Sequence, residues 1–373
     1  MFTRAFSKSV LAVEGSLQRT GGRFGAGGRA SVSGVTATIF GATGFLGRYF
    51  ASALGKIGSQ LVIPYRTTEN GVQHFKVMGD LGQIVLVYAE VGDDYDTVKD
   101  LVANSNVVIN CIGRDKETWK YSFDDVNVKM PEMIARAAKE VGAERLYHMS
   151  CLGAAPDSAS KKFRTKFEGE RAVLSEFPDA TIFRMAPVVG VEDRFLNSFA
   201  YLSKRSFYMP LYDGGESLMQ PVWVKDVQSA FMKTMLDNEC KGKTYELAGP
   251  DVYSVKDLVT LVEKIMREPS GGLFVPSAVG KLMDKPREFL QERIPFPIPI
   301  HPMFTADYID ELQTDVIRKD PTALGFEDLG IAPKPINQGV PIDHVRYWRS
   351  GGYDFGTQFD PEETDLKKLE KGA

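Results

Sequence analysis

The sequence contains little cysteine and no long apolar run. Its 373 residues include three cysteines, Cys111, Cys151 and Cys240, with no CxxC pair and no histidine nearby at metal-ligand spacing. A small disulfide scaffold is therefore excluded, a zinc site is not favoured, and we expect reduced thiols and no bound metal. No stretch approaches the roughly 18 consecutive apolar residues of a transmembrane helix, so no such segment carries the chain across a bilayer.

A strong excess of charge of one sign is also missing. The formal net charge is −4 at pH 7, and the body of the chain has no stripe rich in lysine and arginine. A nucleic-acid-binding surface is usually basic, so we expect no nucleic-acid partner. Hydrophobic residues make up 43% and charged residues 25% of the sequence, as in a globular protein. At about 150 residues per domain, the length predicts about two folding units.

The N-terminal segment differs from the rest in its charge. Its only acidic residue is Glu14, and its basic residues are Arg4, Lys8, Arg19, Arg23 and Arg29. Apolar residues recur at helical spacing from Phe2 to Leu17, which predicts a basic amphipathic helix, and a glycine-rich stretch follows. This combination is typical of a mitochondrial transit peptide. We assign residues 1–33 to such a presequence, the alternative being a flexible basic tail without a targeting role.

After this segment the chain alternates apolar runs with helical segments. The predicted strands span residues 35–40, 60–64, 84–88, 106–110, 145–149 and 181–185. The predicted helices span residues 45–54, 73–78, 95–103, 125–141 and 162–176. Nearly continuous apolar strands separated by helices predict a parallel sheet covered on both faces, the doubly wound α/β (Rossmann) fold. We assign residues 34–250 to this NAD(P)-binding domain.

The C-terminal part is less regular. Residues 220–224 and 244–247 are predicted as short strands, and residues 255–266 as a helix introduced by Ser254. Prolines accumulate from Leu273 to Phe304, which predicts an extended strap over a surface. We assign residues 251–373 to a smaller C-terminal domain with this strap and a tail. The apolar residues of the strap predict docking on another protein subunit or at a membrane face, the alternative being a strap packed on its own domain.

A glycine motif carries the clearest chemical signal. Residues 41–47 read GATGFLG, directly after the first predicted strand and at the start of a predicted helix. Gly41 permits the tight turn, Gly44 lets the backbone approach a pyrophosphate, and Gly47 allows the helix to pack closely on the strand. Phosphates would bind the free amides at the helix N-terminus. The expected dinucleotide-binding residues here are Gly41, Thr43, Gly44, Phe45, Leu46 and Gly47. The alternative is a tight turn that binds nothing.

The choice of cofactor is predicted from the end of the second strand. An Asp or Glu there would bind the ribose hydroxyls of NAD and repel the additional phosphate of NADP. This sequence has Arg66 instead, followed by two threonines. A guanidinium is a planar, permanently charged phosphate ligand, so the pattern favours NADPH. The alternative is an ordinary solvated arginine in a loop.

Several segments together resemble a known family. They are residues 41–47, 64–66, 78–83, 110–114, 193–197 and 220–224. They are similar to the NADPH-binding accessory subunits of mitochondrial respiratory complex I, an atypical extended branch of the short-chain dehydrogenase/reductase superfamily. The resemblance implies a Rossmann fold, bound NADPH contacted also by Ile112 and Gly113, and other complex I subunits as partners. It further implies a location at the mitochondrial inner membrane on the matrix side, within the electron transport chain. There the subunit supports assembly or stability of the matrix arm.

The catalytic residues of this superfamily are only partly present. Active members use a Tyr-x-x-x-Lys pair on the helix after the fifth strand, and a Ser or Thr at the end of that strand. Ser150 and Lys166 match the hydroxyl and the lysine, whereas Lys162 stands at the tyrosine position. A lysine beside Lys166 is pushed toward its neutral form, and loss of a general acid costs about 10² to 10⁴ in rate. We expect Ser150 and Lys166 to bind the cofactor without turnover. The alternative is an NADPH-dependent reductase or epimerase of a nucleotide-sugar or another carbonyl substrate.

Four further polar residues are candidates for the site. Cys111 and Cys151 end the fourth and fifth strands, and we expect buried thiols, with redox sensing as the alternative. His148 lies within a strand pattern and is expected to be packed. Asn127 resembles an asparagine that supports the active site in the superfamily, the alternative being a polar residue on a helix surface.

Overall fold

The computed structural model describes residues 25–92, 94–205, 209–267, 272–293, 304–320, 322–337 and 339–349. The predicted amphipathic helix from Phe2 to Leu17 lies outside the described residues. The densest part of the proline-rich segment, residues 294–303, also lies outside them.

One large parallel sheet organises the described part of the chain. Its strands are β1 (Thr36–Phe40), β2 (Gln60–Tyr65), β3 (Ile84–Tyr88), β4 (Val107–Asn110), β5 (Arg145–Cys151), β6 (Thr181–Met185) and β7 (Thr244–Leu247). They lie in the order β7-β6-β5-β4-β1-β2-β3, and every neighbouring pair is parallel. The strand order reverses at β1, between β4 and β2, which makes a crevice at the carboxyl ends of these strands. The predicted doubly wound fold is confirmed.

The helices cover both faces of the sheet and build a second unit beside it. They are α1 (Phe45–Lys56), α2 (Tyr95–Val102), α3 (Met130–Glu140), α4 (Lys161–Glu176), α5 (Leu196–Arg205), α6 (Val224–Leu236), α7 (Val255–Met266), α8 (Ser277–Arg293), α9 (Ala306–Gln313) and α10 (Val340–Asp343). Short 3₁₀ segments span Glu69–Val77, Asn238–Cys240 and His344–Trp348, and a π-helical turn spans Asp125–Lys129. Among the described residues, no helix has both the length and the apolar composition that crossing a membrane requires.

The central strands are buried along almost their whole length because both faces of the sheet are covered. All five residues of β1 are buried. One apolar cluster, which includes Phe50 of α1 and Phe231 of α6, fills one face of the sheet. The other cluster, which includes Val98 of α2 and Ile134 of α3, fills the opposite face. Burial on two sides removes the alternation of polar and apolar residues that marks a half-exposed strand.

The long helix predicted from residue 125 begins as the π-helical turn and continues as α3. Helix α4 crosses this turn at very short range. A Cβ atom added at Gly169 would lie 1.8 Å from the carbonyl oxygen of Asn127, so only glycine permits the crossing. Helix α4 itself starts where Ser160 accepts a hydrogen bond from the backbone N–H of Phe163.

A second apolar core lies outside the large sheet. It contains Leu196 and Phe199 of α5, Leu258 and Leu261 of α7, and Ile309 of α9. Its short strand pairs are Val188–Val189 with Val222–Trp223, Leu218–Met219 with Tyr253–Ser254, and Met209–Tyr212 with Gly272–Val275. Its members come from both sides of residue 250, and the domain boundary at that position stays a prediction.

Two expectations about the C-terminal half are wrong. The described part of the predicted strap is not extended, because Gly272–Val275 pairs as a strand and Ser277–Arg293 forms α8. This stretch contains only Pro276, placed just before the first helical turn where proline is tolerated, and Pro286, which lies inside the helix. Residues 220–224 are also not one strand, because only Val222–Trp223 pairs and α6 begins at Val224.

Candidate functional site

The glycine motif forms the loop between β1 and α1 at the crevice of the sheet. Gly41 has a φ of +73°, and a Cβ atom there would lie 2.8 Å from the backbone carbonyl of Cys111. A Cβ atom at Gly47 would lie 2.5 Å from the Cα of Ala42. Gly44 caps α1 without a side chain, so the first amides of this helix are left uncovered. The loop thus offers backbone N–H groups and the positive end of a helix dipole to an anion.

Two cavities meet at this loop. The first, called the β2 cavity, has a volume of about 230 Å³ and lies at the ends of β2, β3 and β4. The second, called the α4 cavity, has a volume of about 330 Å³ and lies beside the start of α4. Both are lined by Gly44, Cys111, Gly113 and Arg194, so they are two halves of one cleft.

Most of the residues predicted from the sequence line this cleft. The β2 cavity contains Gly41, Thr43, Gly44, Arg66, Ile112 and Gly113. The α4 cavity contains Gly44, Phe45, Leu46, Gly47, Gly113 and Ser150. Lys166 lines neither cavity and lies behind Gly113, where an added Cβ atom would be 3.7 Å from its Nζ. The topology therefore brings the predicted set together, while the role of each residue in binding stays a prediction.

The β2 cavity is rich in cations gathered around one aromatic ring. The guanidinium carbons of Arg66 and Arg114 lie 5.6 and 5.4 Å from the ring centroid of Tyr121. The Tyr121 hydroxyl donates to Glu90 over 2.8 Å, and Lys120 donates to the same carboxylate oxygen over 2.6 Å. These hydrogen bonds from Lys120 and Tyr121 lower the pKa of Glu90, which stays ionised. The sequence offered no signal for Glu90 or for the clustering at Tyr121.

The α4 cavity contains a buried ion-pair network around Lys162. Its Nζ lies 3.0 Å from Glu311 of α9 and 3.5 Å from Asp115, which in turn lies 2.9 Å from Arg194. Burial alone would lower the pKa of Lys162, but Glu311 and Asp115 raise it well above its usual range. The expectation that Lys162 is pushed toward its neutral form is therefore wrong, because two carboxylates outweigh the neighbouring Lys166.

Ser150 and Lys166 are both engaged by groups of the protein. The Ser150 hydroxyl donates to Glu170 of α4, a buried carboxylate that also accepts a 2.7 Å hydrogen bond from Arg184. The Lys166 ammonium donates to the carbonyl of Met149 over 3.1 Å. Burial lowers the pKa of Lys166, and the positive charge of Lys162 lowers it further.

The remaining candidates are electrically neutral. His148 and Asn127 are buried, whereas Cys111 and Cys151 are only partly buried, which differs from the expected buried thiols. Burial raises the pKa of Cys111 and of Cys151 to about 12, so both stay protonated thiols at neutral pH. His148 is packed, as predicted, and burial lowers its pKa to about 3. Asn127 is fully buried and donates to Thr165 over 3.0 Å, so it is not a polar residue on a helix surface. In the parts of the chain that the structure describes, no cluster of His, Cys, Asp or Glu has the arrangement of a metal site.

The fold and cleft define a class of nucleotide-binding protein. A family model described as the NAD dependent epimerase/dehydratase family matches residues 37–248. Among solved structures, a UDP-glucose 4-epimerase from Thermotoga maritima aligns with a TM-score of 0.58 at 13% identity, over 83% of this chain and 96% of that one. The epimerase Mth375 from Methanothermobacter thermautotrophicus aligns with a TM-score of 0.55 at 18% identity, over 65% and 80%. Identities this low support the shared fold alone.

More similar relatives cover most of the chain. The mitochondrial NADH dehydrogenase (ubiquinone) 1 alpha subcomplex subunit 9 of Arabidopsis thaliana is 43% identical over 90% of this chain and 83% of its own length. The protein of the same name from Mus musculus is 42% identical, over 84% and 80%. The mitochondrial NADH-ubiquinone oxidoreductase 40 kDa subunit of Neurospora crassa is 35% identical, over 88% and 83%. The chain belongs to the family of these NADH dehydrogenase subunits, within the epimerase/dehydratase class.

Proposed function

We propose that this chain is an accessory subunit of mitochondrial respiratory complex I that binds NADPH and does not catalyse a reaction of its own. Its place in the complex rests on relatives of up to 43% identity that are named as subunits of this enzyme. The proposal of binding without catalysis depends on one geometric observation. Lys162 pairs with Glu311 in the cleft, beside a glycine loop that has the close packing of a phosphate-binding turn.

The β2 cavity fits an NADP-type cofactor. The uncovered amides at the start of α1 suit a pyrophosphate, and the crevice at β1 is where such folds bind dinucleotides. Arg66 lines the cavity just after β2, where an acidic residue would favour NAD instead. Thr43, Gly44, Ile112 and Gly113 complete the proposed contacts around the loop. When bound, the nicotinamide group supplies hydride chemistry, whereas the residues of this chain bind and orient the nucleotide.

The reaction side of the cleft lacks a usable proton donor. Lys162 stands where the superfamily has a tyrosine, and its raised pKa holds the proton too tightly for transfer near pH 7. Ser150 already donates its hydroxyl proton to Glu170 and so has none to offer to a substrate oxygen. The alternative of a nucleotide-sugar reductase or epimerase is therefore not favoured, and the similar epimerase structures support only the fold.

The proposed location is the matrix side of the mitochondrial inner membrane, as part of the matrix arm whose assembly or stability the subunit supports. An exposed apolar face suits contact with another complex I subunit or with the membrane surface. The name apolar face is used here for the exposed apolar residues of the strand Gly272–Val275 and of α8, which are Leu273, Phe274, Leu282, Met283 and Phe289. Each of these side chains is about half exposed or more, an unusual density for a surface that contacts only water.

The test begins with the natural protein. Mass spectrometry of the full chain purified with its associated chains should detect NADPH as the bound nucleotide, together with other complex I subunits. The variant Arg66→Asp places a negative charge at the proposed phosphate site and should retain less than about a tenth of the nucleotide, because one charge-assisted hydrogen bond contributes about 1.5–3 kcal/mol. Arg171→Ala is the matched control, since Arg171 is exposed and lines neither cavity.

Three results would contradict the proposal. One is NAD(H) as the extracted nucleotide, and another is full retention of NADPH by Arg66→Asp. The third is hydride transfer from bound NADPH to a member of a panel of carbonyl and nucleotide-sugar substrates, abolished in the variant Lys166→Ala.

A further inference from the structure

Arg114 is a cation of the cleft to which no role has been assigned. It follows Gly113 at the end of β4, and its guanidinium donates to the hydroxyl of Thr118 over 2.6 Å. Arg66 follows β2, so the two arginines come from the strands on either side of β1 and of its glycine loop. Both line the β2 cavity, and both approach the ring of Tyr121 to within 5.6 Å.

The protein compensates the charge of the two guanidinium groups only in part. Within the described residues, neither Arg66 nor Arg114 forms an ion pair with a carboxylate. Glu90 is the acidic residue lining this cavity, and its hydrogen-bonding oxygen is already taken by Lys120 and Tyr121. Arg194 also lines the cavity, but it pairs with Asp115 over 2.9 Å. Glu90 therefore offsets part of the charge of Arg66 without a direct contact, and the two guanidinium groups still repel each other, which an anion bound between them would relieve.

The pKa of Arg114 reflects the excess of positive charge in this cavity. Burial, and then the charges of Arg66 and Arg194, lower the pKa of its guanidinium. The Tyr121 ring compensates in part, because cations are attracted to the face of an aromatic ring. A bound dianion would compensate far more, since it would lie between the positive charges of the exposed Arg66 and the half-buried Arg114.

Resting on the proposed NADPH binding, we propose that Arg114 is a second specificity-determining residue, whose guanidinium binds the adenosine 2′-phosphate together with Arg66. A phosphate monoester carries close to two negative charges at neutral pH, with three acceptor oxygens. One guanidinium neutralises half of that charge, whereas a pair can neutralise all of it and engage the oxygens from two sides. Tyr121, which both arginines contact, forms the floor against which they are held.

The experiment compares two nucleotides that differ only in the 2′-phosphate. NADPH and NADH are titrated against the full chain, stripped of nucleotide, for the wild type, Arg114→Ala, Arg114→Lys and Arg66→Ala. Arg114→Ala should weaken NADPH binding by about tenfold or more and NADH binding by less than about threefold, because only NADPH carries the group that is lost as a partner. Arg114→Lys should recover part of the loss, since it restores the charge but not the forked geometry.

A competition assay separates phosphate recognition from a loss of folding. Adenosine 2′,5′-bisphosphate should displace NADPH from the wild type far better than adenosine 5′-phosphate does, and this preference should shrink in Arg114→Ala and Arg114→Lys. Arg171→Ala serves as the control and should behave as the wild type. Equal weakening of NADPH and NADH, or an unchanged preference in both Arg114 variants, would overturn the inference. A wild type that binds NADH as tightly as NADPH would instead overturn the proposed cofactor, which is a separate result.

Discussion

The two halves of the cleft treat their charged groups in opposite ways. In the β2 cavity, Arg66 and Arg114 share a tyrosine ring and have no carboxylate partner among the described residues. In the α4 cavity, Lys162 is held by Glu311 and Asp115, and Ser150 is held by Glu170. One half keeps two arginines without a salt-bridge partner, whereas the other has satisfied its polar groups from within the protein.

Under the proposed function, this difference is how a nucleotide-binding fold keeps its ligand and loses its chemistry. The proposed binding contacts come from the loop and strand ends around β1, which the sheet fixes in place. The reaction-side groups lie on β5 and α4, and partners from α9 and α4 itself occupy them. Because the binding contacts and the reaction-side groups lie on different elements, the reaction-side groups can be altered while the binding contacts stay unchanged.

The largest effect is expected from breaking the network of the α4 cavity. Lys162→Met leaves the Glu311 carboxylate without its cation in a mostly buried site, whereas Asp115 keeps Arg194, and should lower the free energy of unfolding by about 3 kcal/mol. Urea denaturation measures the change. The double variant Lys162→Met/Glu311→Leu should recover much of the loss, because it removes the stranded carboxylate as well.

The control for this prediction is the exposed pair of Lys99 and Glu140, whose charged atoms lie 2.7 Å apart. Lys99→Met should leave the urea midpoint unchanged, since exposed ion pairs contribute little. Equal losses of unfolding free energy in Lys162→Met and Lys99→Met would show that the Lys162 network contributes no more to stability than an exposed ion pair, and would contradict the prediction. If Lys162→Met also lost as much NADPH affinity as Arg66→Asp, the two cavities would act as one and the comparison would fail.

A second, intermediate effect concerns His148, which lies behind the strand ends shared by the two cavities. Asn110, 3.3 Å from the His148 Nδ1, also accepts a hydrogen bond from the amide of Ile112. The folded-state pKa of His148 is about 3, below its ordinary 6.5, so the unfolded chain binds a proton that the folded chain does not. The stability contributed by the neutral ring is therefore complete above pH 6.5 and is lost as the pH falls toward 3.

Between about pH 7.5 and 5, this loss should amount to about 2 kcal/mol. Denaturant unfolding across this range should show a flatter pH dependence for His148→Gln, which keeps an acceptor for Asn110. His74→Gln is the control, because burial lowers the pKa of that half-buried histidine as well, and a smaller flattening is expected. An identical pH dependence of wild type and His148→Gln would contradict the prediction.

The smallest effect on stability is expected at the apolar face, outside both cavities. Leu282 of α8 is 69% exposed, so Leu282→Glu should change the unfolding free energy by less than about 0.5 kcal/mol. The content of bound nucleotide should also stay the same, whereas incorporation into complex I, measured on a native gel, should fall. Leu236→Glu, at an exposed position on α6, is the control for added charge. Normal incorporation of Leu282→Glu would remove this face from the proposed docking surface.

Much of the large sheet was predictable because its signals are local. The predicted strands at β3, β6 and β7 match the structure in both bounds, since β-branched and aromatic residues favour strands. Helices α5, α6 and α9 were not predicted. Helix α6 packs on the large sheet, whereas α5 and α9 pack in the second core. In all three, burial against distant segments, and not a clear local period, decides what is helical.

The sequence by itself determined the alternation of strands and helices that gives the doubly wound sheet, the glycine turn, the arginine after β2 and the absence of a tyrosine at position 162. These depend on composition and on fixed spacings along the chain. Only the tertiary structure decided that Glu311 reaches Lys162 across 149 residues, and that Arg114 joins Arg66 at one ring. The reason is physical: whether a buried lysine is charged, or two arginines lack a counter-ion, depends on segments brought together by packing, and no local pattern contains that information.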